Sequence, residues 1–211
     1  MLIKYIASAV LGYLFGSISF AILITKYLMK NDVRTMGSGN AGATNVARVF
    51  GVGVGIATLI GDALKTVAAV KIGQLIGGEN GSVFGAAFCI IGHSFPIFYD
   101  FKGGKGVTVG ATVALLFDFR VFLIIAAVFF AVALTTKIVS LSSISAAVAF
   151  PIAMILFGGK STTVIALSVF VGLSVILLHT PNIRRLIAGT EPKFKAKSAG
   201  SVKKDDYGKH S

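Results

Sequence analysis

Three polar, glycine-rich stretches hold nearly all the residues in this chain that could do chemistry. The richest is Gly92-His93-Ser94-Phe95-Pro96 through Lys102-Gly103-Gly104-Lys105-Gly106-Val107. Glycine lets a backbone approach a ligand closely and take up positive φ, and consecutive N–H groups in such a turn can form an anion-binding nest. Lys102 and Lys105 bracket the glycine pair and add full positive charge. The stretch reads either as a phosphate-holding loop or as a basic loop that meets lipid headgroups. The second stretch runs Gly37-Ser38-Gly39-Asn40-Ala41-Gly42-Ala43-Thr44-Asn45 and ends at Arg48. It reads as a helix start capped by Ser38 or Asn40, whose free N–H groups suit an anion. Arg48 is then either a bidentate phosphate contact or a charge that only sets orientation. The third stretch, His179 to Lys193, supplies the nearest acid–base candidates, His179 and Glu191. Glu191 equally suits a salt bridge to Arg184, Arg185 or Lys193. His93 reads as a helix-end histidine at the membrane interface in preference to a group that polarises a hydroxyl. Pro96 and Pro181 read as helix terminators.

Several familiar chemistries are excluded. Gly37-x-Gly39-x-x-Gly42 matches a dinucleotide fingerprint, but that motif needs a preceding strand, and an apolar helical run stands there. Gly104-Lys105 is not a Walker A motif, because Tyr99 and Gly106 occupy positions that need glycine and a hydroxyl. Neither a Cys pair nor H-E-x-x-H is present for zinc, and no metal site is expected. There is no G-x-S-x-G elbow or compact Ser-His-Asp spacing. The His-x4-Asp of soluble-type acyltransferases is missing too, since His93 and Asp100 stand seven apart.

The elements that must position these stretches are membrane helices. The chain has 211 residues, 55% of them hydrophobic and only 13% charged, with a mean hydropathy of +0.87. Soluble domains carry roughly 25% charged residues. The run between Lys4 and Lys26 is uncharged, too long for a signal-peptide core, and reads as a retained span. Seven apolar segments are predicted, near 3–28, 52–77, 81–97, 106–117, 120–136, 141–157 and 161–178. The fourth, about 18 Å long as a helix, either begins inside the preceding loop or crosses where the bilayer is thinned. Asp62 and Lys65, three apart in the second, should share a face, point into the bundle and pair. Cys89, the single cysteine, lies in an apolar run and reads as packing. The net charge of +12 fits contact with anionic lipid, not nucleic acid, since no aromatic-interleaved groove accompanies it. With seven crossings, fifteen of the twenty Lys and Arg residues fall on one side. The positive-inside rule then puts the N-terminus outside and the C-terminus in the cytoplasm, with all three polar stretches on the cytoplasmic face. One membrane domain is expected over 1–197, followed by a polar, disordered tail over 198–211.

Together, and in this order, the three stretches resemble the bacterial acyl-phosphate-dependent glycerol-3-phosphate acyltransferases, the membrane family called PlsY. The third appears as His179-x-x-Asn182-Ile183-x-Arg185-Leu186-x-x-Gly189-x-Glu191-x-Lys193. Gly61-Asp62-x-x-Lys65 and Ser140-Leu141-Ser142-Ser143 also look like the family. The resemblance implies a seven-helix, all-α bundle in the bacterial inner (cytoplasmic) membrane. It implies transfer of a fatty acyl group from acyl phosphate to the sn-1 hydroxyl of glycerol 3-phosphate, giving 1-acylglycerol 3-phosphate and inorganic phosphate, the first step of phospholipid synthesis. No cofactor is implied, and neither coenzyme A nor acyl carrier protein is needed as direct donor. By position, Ser38, Arg48, Lys105, His179 and Asn182 look like the family's glycerol-3-phosphate and catalytic residues. Asn45, Gly103, Gly104, Gly106, Ser142 and Ser143 look like its phosphate-holding surface. The roles of Asp62, Lys65, Glu191 and Lys193 stay open between scaffold and site.

Two other classes compete. A permease for phosphate compounds would use a buried ion pair and anion-binding loops, but the chain shows no internal repeat and its polar stretches gather at one face. A phosphatidyltransferase using a CDP-alcohol would want several intramembrane aspartates, and only Asp62 is available.

Overall fold

The computed structural model describes residues 1–157 and 160–195, and these are all-helical, with no strand. The tail expected over 198–211 lies outside the described residues. The elements are α1 (Leu2–Ser17), α2 (Phe20–Leu23, continued by a π-helical turn Ile24–Leu28), α3 (Ala43–Phe50), α4 (Val52–Ser94), α5 (Val107–Phe117), α6 (Phe119–Thr136), α7 (Val139–Leu156), α8 (Thr162–Leu178) and α9 (Thr180–Ile187). Four helical stretches are long and apolar enough to cross a membrane, or five if α8 and α9, bent by 58°, count as one. α4 is not one straight rod. Gly77 and Gly78 leave helical geometry, Gly78 at φ +63°, and the chain doubles back there. Gly73 meets the backbone of Gly81, and Gly85 meets that of Ala69. The two arms of α4 correspond to the second and third apolar segments.

Packing in this bundle relies on small residues, because lipid tails give helices little hydrophobic reason to associate. α1 lies against the second arm of α4 with glycines facing backbone: a Cβ on Gly12 would fall 2.4 Å from Gly85 O, and one on Gly16 would fall 2.2 Å from Cys89 O. Cys89 is buried, as a packing residue. The uncharged first segment is broken where it reads as continuous. Ile18 is extended, and Ser19 restarts the helix by capping the Ile22 N–H. The break exposes the Ile18 carbonyl, and Lys65 Nζ donates to it at 2.7 Å. Lys65 Nζ also stands 2.8 Å from Asp62 Oδ1, and both side chains are almost fully buried. The pair thus faces the interior as the three-residue spacing predicts, which lowers the cost of two charges at that depth.

The ends of the bundle differ in chemistry. At one end Gly77 sits beside Lys4 and Tyr5. Asp118 caps α6 and holds Arg120 at 2.9 Å and Lys160 at 3.0 Å. The loop before α3, the loop between α4 and α5, the start of α7 and the α8–α9 bend meet around one cavity.

Candidate active site

The first wall of this cavity is the loop that leads into α3. Gly42, not Ser38 or Asn40, is the N-cap of that helix. The reason lies in Asn45, whose side chain holds the loop from inside. Its Oδ1 accepts from the Ser38 N–H at 2.9 Å, and its Nδ2 faces the carbonyls of Val33, Met36 and Asn40 at 3.0–3.2 Å. The residues that would have capped are thereby folded into a turn over the helix start. Ser38 is exposed on the cavity rim, and Arg48, in the last turn of α3, reaches the cavity with no carboxylate partner among the described residues.

The second wall is the lysine-glycine loop, and here the structure departs from a simple nest. The Gly103 N–H donates to Ser94 O and the Gly104 N–H to His93 O, at 3.1 and 3.0 Å. Both groups are spent closing the end of α4, so these glycines do not line the cavity. They are needed for closeness instead: a Cβ on Gly103 would stand 2.0 Å from His93 O. Gly106, at φ +76°, does line the cavity and starts α5. The first α5 bond runs from the Gly110 N–H to Gly106 O, so the N–H groups of Val107, Thr108 and Val109 open the helix without an intrahelical acceptor. The free N–H groups in this wall are thus those of a helix N-terminus, one step beyond the glycine pair, the kind of place that suits an anion.

The third wall centres on Glu191. Its carboxylate accepts from Ser140 Oγ at 2.7 Å, Asn182 Nδ2 at 2.6 Å and Arg185 Nε at 2.7 Å. With its amide nitrogen so held, Asn182 turns Oδ1 to the ammonium of Lys105, which donates to it. Burial pushes Lys105 below the ordinary lysine range, and the Arg185 and Arg48 charges act with it against Glu191. Burial acts to raise the Glu191 carboxyl, but bonds from Ser140, Asn182 and Arg185 outweigh it and hold it below its usual value. His179 sits at the α8–α9 bend, buried, with Nδ1 2.7 Å from Val175 O. A carbonyl only accepts, so Nδ1 carries the proton and Nε2 is left as an acceptor. Pro181 does not terminate a helix here; it opens α9, where a missing N–H costs nothing.

Of the residues expected to form a site, Ser38, Asn45, Arg48, Lys105, Gly106, Ser143, His179 and Asn182 border one cavity of about 180 Å³. Gly103 and Gly104 stand behind its wall. Ser142 is turned away, fully buried, with its hydroxyl on Ile138 O at 2.9 Å. Ser140, Arg185, Glu191 and Thr108 join the lining. The cavity continues into a second, almost wholly apolar one of about 370 Å³ between α4, α5, α6, α7 and α8. Leu59, Val107, Thr108, Phe129 and Ser143 border both. A charged, donor-rich chamber opening into an apolar one suits an amphiphile with an anionic head.

Known proteins resemble this chain in sequence and in fold. Residues 6–189 match the family model described as glycerol-3-phosphate acyltransferase. The chain is 42% identical over 190 residues to the glycerol-3-phosphate acyltransferase of Bradyrhizobium sp., covering 89% of this chain and 94% of that protein. The chain belongs to the glycerol-3-phosphate acyltransferase family. A more distant relative, the glycerol-3-phosphate acyltransferase of Carboxydothermus hydrogenoformans, is 38% identical over 195 residues, or 92% of this chain and 99% of that one. The crystal structure of PlsY, an integral membrane glycerol 3-phosphate acyltransferase, in its glycerol 3-phosphate form superposes with a TM-score of 0.85 at 33% identity. The match covers 90% of this chain and 96% of that one. Its lysophosphatidic acid form gives 0.82 at 32%, covering 90% and 95%. This member of the glycerol-3-phosphate acyltransferase family is therefore an integral membrane enzyme.

His93 of this acyltransferase lies in the last turn of α4, at a helix end as its sequence reads, but sequence reasoning missed its burial: it is 4% exposed, on the cavity wall, with Nδ1 3.0 Å from Lys65 Nζ. The paired charges at 62 and 65 were the available signal, since a buried lysine needs acceptors beyond one carboxylate.

Proposed function

We propose that this enzyme transfers a fatty acyl group from acyl phosphate to the sn-1 hydroxyl of glycerol 3-phosphate, releasing 1-acylglycerol 3-phosphate and inorganic phosphate. The observation that carries it is the joined pair of cavities, one cationic and one apolar, in a chain of this family. The glycerol 3-phosphate headgroup sits against Arg48 and Ser38, and the donor phosphate against Lys105 and the N-terminus of α5. The acyl chain lies in the apolar chamber, and its carbonyl at the seam. The hydroxyl oxygen attacks the carbonyl carbon, the new ester bond forms, and the bond to the phosphate oxygen breaks. The hydroxyl proton passes either to Nε2 of His179 or directly to the donor phosphate, while Asn182 keeps Lys105 aimed at the leaving group. An acyl phosphate is already activated, so the site needs positioning and charge stabilisation, not a built nucleophile. The decisive assay is phosphate release by purified, detergent-solubilised protein given palmitoyl phosphate, with and without glycerol 3-phosphate. Release that depends on glycerol 3-phosphate, with a lysophosphatidate product, is expected. Its absence from folded protein would favour the permease reading, which needs a sealed vesicle.

In this reading residues 1–197 work as one membrane domain crossing seven times in a bacterial cytoplasmic membrane, with the two arms of α4 counted separately. The reversal at Gly77–Gly78 supports that count. The gathering of Asp118, Arg120 and Lys160 at the loops that alternate with the site loops supports the side assignment. The N-terminus is then outside and the site faces the cytoplasm. Two variants that each add one cysteine test this, since the native Cys89 is buried. Glu79→Cys reacts with a membrane-impermeant thiol reagent in intact cells, whereas Lys102→Cys reacts only after permeabilisation. The reverse pattern would invert the orientation, and labelling of both from outside would break the crossing count.

A further inference from the structure

His93 is a buried polar side chain that the acyl-transfer scheme leaves unused. Its ring touches two systems at once. Nδ1 lies 3.0 Å from Lys65 Nζ and 3.8 Å from Asp62 Oδ1. An ammonium can only donate, so the bond runs from Lys65 to Nδ1. The ring proton must then be on Nε2. That nitrogen makes no hydrogen bond to any described residue, and it lies against the lysine-glycine loop, where a Cβ on Gly104 would meet it at 2.2 Å. The ring borders the cavity and carries a donor whose tautomer is fixed from behind.

Location narrows what that donor serves. Asp62 borders the polar cavity, and Leu59, three residues earlier and on the same helix face, borders both cavities. His93 thus stands beside the seam, between the start of the apolar chamber and the loop that carries Lys105. We propose that His93 is a further substrate-contacting residue, whose Nε2–H donates a hydrogen bond to the acyl carbonyl oxygen of the donor. Lys65 and Asp62 act through it as positioning residues. No proton is transferred from His93. The bond strengthens as the carbonyl oxygen gains negative charge and relaxes when the bond to phosphate breaks, and a fixed donor so placed favours the transition state over the bound substrate.

This rests on the acyl phosphate reading, and the test separates the two. Wild type, His93→Leu and His93→Gln are purified in detergent and assayed with palmitoyl phosphate and glycerol 3-phosphate varied in turn, with thermal unfolding measured alongside. His93→Leu is expected to lose about 10²-fold in kcat with the KM for glycerol 3-phosphate changed less than about twofold. Glutamine, whose amide reaches the Nε2 position, is expected to recover part of that loss. Wild-type turnover by the leucine variant, equal losses in both variants, or a loss confined to the KM for glycerol 3-phosphate would each overturn the proposal. If the leucine protein does not fold, His93→Asn replaces it, since its amide reaches only the Nδ1 position. Greater activity of glutamine than asparagine then supports the donor, and equal activity refutes it. Failure of the wild type itself on palmitoyl phosphate removes the donor assignment, and this contact with it.

Discussion

Lys105→Met lowers kcat/KM by about 10³-fold or more while the bundle stays assembled. Lys105 is the cation closest to the start of α5, and charge accumulates on the departing phosphate as the anhydride bond breaks. A fixed ammonium in a site shielded from water opposes that charge far better than solvent does. Methionine keeps most of the stem's packing but leaves Asn182 Oδ1 without its charged donor, a structural cost of about 1.5–3 kcal/mol. Steady-state kinetics beside a thermal melt separate the two effects. A wild-type rate in folded Lys105→Met protein would remove this residue from the chemistry. The alkaline side of the pH profile offers a second check. Because burial and the neighbouring Arg185 and Arg48 hold this lysine below its ordinary range, the free enzyme loses its ammonium as pH rises through that lowered value. The fall in kcat/KM should begin below the pH at which an exposed lysine titrates.

Glu191→Ala has the second largest effect, and it acts on both fold and rate. The carboxylate joins α7, α9 and the segment after α9 through Ser140, Asn182 and Arg185. Its loss frees Asn182 to rotate and Lys105 to wander from the leaving group. A bond to a charged group is worth about 1.5–3 kcal/mol, and Arg185 is too exposed to add much. We expect a loss of about 2–3 kcal/mol in unfolding free energy and a fall in kcat of at least about 10²-fold. Glu191→Gln, which keeps an oxygen for Ser140 and Asn182, should lie between. The carboxyl is held below its usual value, so its stabilisation is complete above the unfolded value and disappears as pH falls through the folded one. Glu191→Ala should therefore flatten the acid loss of stability seen in the wild type. An unchanged melt and rate would reduce Glu191 to a surface charge.

Much of this site is legible in the chain because membrane burial makes polar residues conspicuous. Asp62 and Lys65 announce an inward pair by charge and spacing, and the gathering of three glycine-rich stretches on one face follows from loop charges. What stays hidden depends on long-range contact. His93 meets Lys65 only because α4 turns back at Gly77–Gly78, and no periodicity carries that pairing. Gly42 caps α3 although serine and asparagine are stronger caps by local preference, because Asn45 draws both into the turn above. Gly103 and Gly104 read as anion binders by composition, yet their N–H groups go to carbonyls at the end of α4. The break at Ile18 lies in a run with no charge to mark it, and its carbonyl is answered 47 residues away by Lys65.

The apolar chamber has Leu115 and Phe130 on its rim, both exposed on the flank of the bundle. Such an opening suits sideways entry by a donor that is itself a membrane amphiphile, tail first into the chamber and without leaving its leaflet. Collision in such a system takes place in two dimensions. The enzyme's saturation is set by the mole fraction of donor among neighbouring lipids, and the water-borne substrate alone follows ordinary bulk concentration.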